Sequence, residues 1–379
     1  MTNALYIILA IVVFGVIVFF HELGHFLAAR TCGIAVDEFS IGFGPSLISK
    51  KRKNTLYSIR LLPLGGFCRF VGEDDDSDAE GAFNKQSVFK RMIVTFSGPF
   101  MNFVLAYIAT VVYLMAIGVV FNAPVVYDVM EGTNAQLAGL RSGDVIVSID
   151  GEEISFDYEG HLRISEIISE NEPDEPMTFT IQRNDETFDV DIAAQPVEGG
   201  VQIGIYLGGY YYRYNLPDAL GQSFSAVWNV LTVMLDALRN MFTTGEGIED
   251  TAGPVGAITM MSTQMQQGMD MTLYMIILIS MNLGIINLFP VPGLDGGRLL
   301  FQVVEAVRRK PIKPEHEGWI HAGGIIALLG LMVLLTYRDI ARLITGGVGG
   351  RGRSKGGYVY NGRRTLAKCN GCRVKGLLW

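Results

Sequence analysis

Two histidines and a glutamate stand close together in the stretch VFFHELGHFLAAR, residues 18–30. His21 and His25 are four apart, so on a helix they lie one turn apart on the same face and both imidazoles reach a single cation. Neutral imidazole is the commonest zinc ligand, and a catalytic zinc takes three protein ligands and keeps a position open for water. Glu22, beside the first histidine, is placed to take a proton from that water as general base. HExxH on a helix is a metalloprotease signature. The bland alternative is a set of polar residues hydrogen-bonded at a helix end. It leaves ionisable groups in an apolar run without the partners that hydrocarbon demands, whereas a shared cation satisfies all three at once.

A third ligand is offered by NLGIINLFPVPGLDGGRLL, residues 282–300, where an apolar run breaks at Pro290 and Pro292. Proline removes a backbone donor and clashes with the preceding turn, so the helix unwinds there. Irregular backbone at membrane depth is tolerated only against protein or water. Asp295 therefore projects into a wet internal site, and it also suits the cap of the next helix. The two roles are compatible. HEGWIH, residues 316–321, is a decoy: His316 and His321 are five apart, which turns them away from one another on a helix, and His316 with Glu317 reads as a solvated helix entry. His161 is isolated and reads as a surface histidine.

The elements that must position these groups are apolar. Of 379 residues, 49% are hydrophobic and 18% charged, a membrane composition, and the net charge of -8 argues against nucleic acid as a partner. Four segments are long enough to span a bilayer: from Ala4 to about Ala29, Met92 to Phe121, Leu273 to Phe289 and Trp319 to Tyr337. The stretch Phe224 to Phe242 mixes polar with apolar residues and reads as an amphipathic interfacial helix. Lys and Arg concentrate after the first span (Arg30, Lys50 to Lys53, Lys85, Lys90, Arg91) and after the third (Arg298, Arg308 to Lys310, Lys313), which puts both loops in the cytoplasm. The acidic segment from Asn122 is then extracytoplasmic, both termini lie outside, and HELGH sits near the cytoplasmic face.

That outer segment alternates short apolar runs such as VIVSID and MTFTIQR with Gly, Asp and Asn turn signals, and reads as strands. Its stretch NAQLAGLRSGDVIVSIDGEEI, residues 134–154, resembles the PDZ family, whose groove accepts an extended peptide, often a chain terminus, as an added strand. Another small β domain that merely spaces the helices is the alternative. The fold class expected is an α-helical polytopic membrane protein with four transmembrane helices, a membrane-associated β element and one inserted PDZ-like domain. Its divisions fall at 1–121, 122–210, 211–270, 271–345 and a Gly-rich basic tail, 346–379, whose composition is that of a disordered segment. The tail carries Cys369 and Cys372 as a lone CxxC, half of a zinc knuckle, to which no function is assigned; four cysteines in all leave the redox compartment open.

HELGH at the end of span one, NLFPVPGLDGG at the end of span three and a PDZ-like domain between spans two and three together resemble the site-2 protease family of intramembrane zinc metalloproteases. Within it, the pattern resembles the bacterial regulator-of-sigma-E protease type. The likeness covers about residues 1–345 and takes in FSIGFGP (39–45), RLLPLGGFCRF (60–70) and FSGPFMN (96–102). It implies that His21, His25 and Asp295 hold Zn2+, that Glu22 activates water, and that Asn287 lies beside the metal and helps hold the substrate backbone or oxyanion. Asn282 is a weaker candidate for substrate contact, with an amide bond between helices as its other role. The resemblance also implies a β element at Thr55 to Phe70, with LPLGG as its turn, that receives substrate as an added strand. The substrates implied are single-pass transmembrane segments, such as trimmed anti-sigma factors or remnant signal peptides, in a bacterial inner membrane. The rival reading is a catalytically silent membrane scaffold with a structural metal; structural zinc takes four protein ligands, and a fourth is missing from the sequence. A transporter would need more spans and repeated halves.

Overall fold

The first thirty residues leave little choice of structure. Lipid offers no partner to a backbone N–H or carbonyl, so an apolar run of this length satisfies its own groups as a helix. It ends where Gly33 takes a left-handed conformation, φ +75°, and Ile34 N–H turns back to the Ala29 carbonyl at 2.8 Å. A computed structural model describes residues 3–73, 76–184, 186–197, 200–247, 253–310, 312 and 314–344; the tail with Cys369 and Cys372 lies outside them.

In chain order the described residues form α1 (Asn3–Cys32), β1 (Val36–Arg52), β2 (Thr55–Phe70), α2 (Val88–Ala116), β3 (Val119–Val129), α3 (Asn134–Leu137), β4 (Val145–Ile149), β5 (Glu152–Glu153) and α4 (Tyr158–Glu170). There follow β6 (Pro176–Arg183), β7 (Glu186–Ala193), β8 (Gln195–Val197), β9 (Gly200–Gln202), β10 (Ile205–Tyr212), α5 (Leu216–Thr243), α6 (Pro254–Met265), α7 (Met269–Asn287), α8 (Asp295–Arg308) and α9 (Pro314–Ile344). The described chain divides into two units, one built from residues up to Tyr113 and from Leu220 on, the other from Leu114–Ala219.

In the first unit four helices are long and apolar enough to cross a membrane: Ala4–Cys32, Val88–Ala116, Met269–Asn287 and Glu317–Arg342. The second expected span ends five residues earlier, at Ala116, because Gly118 turns the chain at φ +85° and residues beyond it enter β3. The amphipathic stretch is a helix of 28 residues, α5, whose Val227, Val230, Leu231 and Met234 pack on Ala106 and Ala109 of α2 and Ile277 and Met281 of α7. Helix α6 was not legible in the sequence. It packs Met261 and Met265 against Ala10 of α1 and Met275 of α7, and Asp339 of α9 accepts from the N–H groups of Gly253 and Gly256 at its N-terminus, 3.2 and 2.7 Å away.

The β element is larger than the sequence suggested, since it begins at Val36. The tight turn is at Lys53 and Asn54, with Lys53 at φ +53°, and LPLGG lies within β2. Residues 38–41 of β1 align with 56–59 and also with 66–69, so the LPLGG stretch carries the chain from one side of β1 to the other and leaves residues 66–70 at an edge. Inside, Glu38 accepts from Ser58 Oγ (2.7 Å) and Arg60 Nη2 (2.6 Å) and is 3% exposed. Outside, Phe43, Leu47, Ile48, Leu61 and Leu62 are exposed, as expected of a hairpin lying against lipid.

The second unit is a sheet of order β10-β3-β4-β6-β7, with β5 paired to β4, over a core of Val126, Ile146, Ile149, Ile164, Phe179 and Ile181. The turn RSGD is closed by Asp144, 1% exposed, which takes Arg183 Nε and Nη2 at 2.7 and 2.8 Å and the Arg141 N–H at 2.8 Å. His161 is half-buried with Nδ1 3.4 Å from the Ala123 carbonyl, a structural contact in place of the surface position expected. Phe179→Ala is expected to destabilise this unit by about 3–5 kcal/mol, seen as faster hydrogen exchange over residues 119–212 of the full chain.

Candidate metal centre

Helix α1 carries His21 and His25 on the face that meets α2. Their rings stand edge to face with centroids 4.9 Å apart, and their Nε2 atoms are 3.3 Å apart. Asp295, the first residue of α8, brings Oδ2 to 3.1 Å from His21 Nε2 and 3.3 Å from His25 Nε2. The three side chains come from segments some 270 residues apart in sequence, and their ligand atoms all lie within 4.8 Å of one another. The Asp295 helix starts where it does because Pro290 and Pro292 break the run; Gly296 then packs so closely under the Leu288 and Phe289 carbonyls that a Cβ would collide with them.

The arrangement has the chemistry of a cation site. His25 Nδ1 lies 2.8 Å from the Val94 carbonyl, which can only accept, so Nδ1 carries the proton and Nε2 of the neutral ring carries a lone pair. That lone pair faces the Asp295 carboxylate and the second imidazole. Oδ2 is buried without a hydrogen-bond partner among the described residues. Three electron-rich atoms converging in a low-dielectric site repel one another until a positive charge stands among them, so the residues fit a zinc ion.

A cavity of about 200 Å³ opens on this cluster, lined by His21, His25 and Asp295 together with Glu22, Phe67, Cys68, Thr95 and Arg298 among others. Glu22 is at its wall, one residue from His21, and accepts from the Cys68 backbone N–H at the β2 edge. Burial, and then the nearby Glu22 charge, push the Cys68 thiol up. Asn287 closes α7, half-buried, and Asn282 is exposed on α7; neither is among the residues lining the cavity. The two asparagines expected at the substrate are thus not drawn into the cluster.

Several polar residues supporting the site escaped sequence reading. One face of α8 presents Asp295, Arg298, Gln302 and Glu305 at spacings of three and four. Arg298 pairs with Glu73, whose other oxygen accepts from the Phe70 N–H at 3.0 Å; Gln302 donates to Thr95 Oγ1 at 2.9 Å; Glu305 pairs with Arg91 at 2.6 Å. The helix that carries Asp295 is thereby tied to the β2 edge and to α2. His321, set aside as part of a decoy, is 7% exposed and its Nδ1 accepts from the Gly293 N–H at 3.0 Å, two residues before Asp295. A heptad-like polar stripe on an otherwise apolar helix was the available signal for α8. His321 had none, because its partner is a backbone group. Asn102 Nδ2 lies 3.1 Å from His21 Nδ1.

The model of peptidase family M50 matches residues 9–331. The chain belongs to peptidase family M50. This site-2 protease family member is a zinc metalloprotease and an integral membrane protein. It is 32% identical over 343 residues to a provisionally named zinc metalloprotease of Clostridium perfringens, covering 89% of this chain and 98% of that one. It is 30% identical over 420 residues to the regulator of sigma-W protease RasP of Bacillus subtilis, covering 89% and 98%. The zinc metalloprotease RasP of Oceanobacillus iheyensis is 31% identical over 425 residues, covering 88% and 98%. Among solved structures, the PDZ domain of an SdrC-like protein from Listeria monocytogenes matches 24% of this chain and 90% of its own, with 23% identity and a TM-score of 0.20, too slight a likeness to place the β-rich unit in a family.

Gly98 of α2 lies so close beneath the His25 ring that a Cβ there would overlap the imidazole. Gly98→Ala is therefore expected to displace His25 and weaken zinc binding at least about tenfold, measured by chelator competition, although alanine favours the helix.

Proposed function

We propose that this M50 protease hydrolyses peptide bonds within transmembrane segments, with His21, His25 and Asp295 holding zinc and Glu22 as the catalytic base. The observation that carries the reading is the convergence of two imidazole nitrogens and one carboxylate oxygen, within 4.8 Å of each other, beside a glutamate in a cavity of about 200 Å³. Zinc in this donor set supplies a Lewis acid that polarises the scissile carbonyl and acidifies water. Glu22 takes the proton from the attacking water and returns it to the leaving amine. The Cys68 N–H steadies the carboxylate meanwhile. Phe67, Cys68 and Phe70, at the edge of the β element, line the cavity, and this edge is read as the place where an unwound substrate segment is received as an added strand. Asn287 is assigned to the substrate backbone or oxyanion on the strength of the family resemblance, and Asn282 to a peripheral contact.

The cation-rich loops favour a cytoplasmic position for the HELGH end and an extracytoplasmic β-rich unit. That unit is read as a PDZ-like domain that binds peptide termini and holds back substrates with bulky outer domains, so that trimmed anti-sigma factors and remnant signal peptides are the substrate classes in a bacterial plasma membrane. A relative's name, regulator of sigma-W protease, agrees with this class. A silent scaffold is disfavoured because the cluster among the described residues has three ligand residues, leaving a position for water.

Glu22→Gln is expected to lower cleavage of a model single-pass substrate by about 10²–10⁴-fold with zinc content unchanged, and His21→Ala or Asp295→Ala to lose the zinc itself. Cleavage by Glu22→Gln at the wild-type rate would end the assignment of the base.

A further inference from the structure

The ligand assignment leaves one nitrogen of His21 to account for. Nε2 faces the cluster, so on a neutral ring that ligates through Nε2 the proton sits on Nδ1. A buried N–H in an apolar surround needs an acceptor. The group in reach is the Asn102 amide of α2, fully buried, with Nδ2 3.1 Å from His21 Nδ1 and Oδ1 without a partner among the described residues. With the metal bound, that orientation would set two donors face to face while an acceptor stood orphaned on the same amide. A half-turn about χ2 exchanges the two atoms and leaves the outline of the amide unchanged.

We propose that Asn102 is a positioning residue for the metal centre: its Oδ1 accepts from His21 Nδ1–H and fixes the tautomer and ring plane that present Nε2 to the cation. The inference rests on the zinc reading above. Two further contacts make Asn102 a firm support. Its backbone carbonyl accepts from Ser280 Oγ of α7 at 2.9 Å, which locks this turn of α2 against the next span. Eight residues earlier on the same helix, the Val94 carbonyl performs the corresponding service for His25 Nδ1 at 2.8 Å and also accepts from Ser97 Oγ at 2.7 Å. Helix α2 thus provides an acceptor behind each imidazole, one from backbone and one from a side chain, as ligating histidines require.

The two roles open to the amide differ in sign under substitution. Asn102→Asp keeps an acceptor of the same shape and cannot donate when ionised; Asn102→Leu keeps the volume and offers neither. Zinc affinity of the purified full chain in detergent, measured by chelator competition, is expected to fall about 10–100-fold in Asn102→Leu and to equal or exceed wild type in Asn102→Asp. Weaker binding in Asn102→Asp than in wild type, or unchanged binding in Asn102→Leu, overturns the proposal. If Asn102→Leu does not fold, the Asp variant decides alone by the same criterion. Wild-type chain that binds zinc, with loss in His21→Ala, keeps this test separate from the ligand assignment; failure of that control would instead sink the zinc reading.

Discussion

The repulsion among three electron-rich atoms organises the rest of this molecule. His21 Nε2, His25 Nε2 and Asp295 Oδ2 are drawn to within 3.1–3.3 Å of each other inside a protein whose surroundings are hydrocarbon. Without a cation such a cluster opposes folding, and with one it joins α1 to α8 across most of the chain. Every nearby constraint acts to keep those atoms converged. Gly98 lets α2 approach the His25 ring, the Val94 carbonyl holds that ring from behind, and the paired prolines start α8 where its first side chain meets both imidazoles.

Around this centre the polar groups are arranged so that few are left to lipid. The seam on α8 runs from Asp295, which meets the two imidazoles of α1, through Arg298 and Gln302 to Glu305, and the last three have partners on α2 or the segment just after β2. Glu73 accepts from the end of the β2 edge and from the helix that carries Asp295 together. The Gly293 N–H, bound to His321 of α9, ties the last turn of the loop before Asp295 to the fourth span in the same manner.

Much of this was legible from local pattern. The four apolar runs announced four helices long and apolar enough to cross a membrane, the i, i+4 histidines announced a shared face, and the proline pair announced a break, since each rests on backbone geometry or on the cost of polar groups in lipid. Boundaries were less well determined. Helix α2 stops at Ala116 and not near Phe121 because a left-handed glycine and the pull of sheet pairing override a hydrophobic run that has no preference between helix and strand. The β element was placed at Thr55, although it begins at Val36, because β1 changes from buried to exposed halfway along and so lacks a single alternation.

By itself the sequence determined which atoms could bind a cation, that the two histidines belong to an apolar run long enough to cross a membrane, and that His21, Glu22 and His25 share one helical turn; these follow from residue chemistry and short-range geometry. Tertiary structure alone decided that α2 supplies the groups behind both imidazoles, that Arg298 meets Glu73, that α6 lies against α1, and that His321 serves the loop before Asp295. Those partners are backbone carbonyls, backbone N–H groups and single polar side chains dozens to hundreds of residues away. No spacing along a chain encodes them, because the distance between helices is set by packing, and a carbonyl has the same identity at every position.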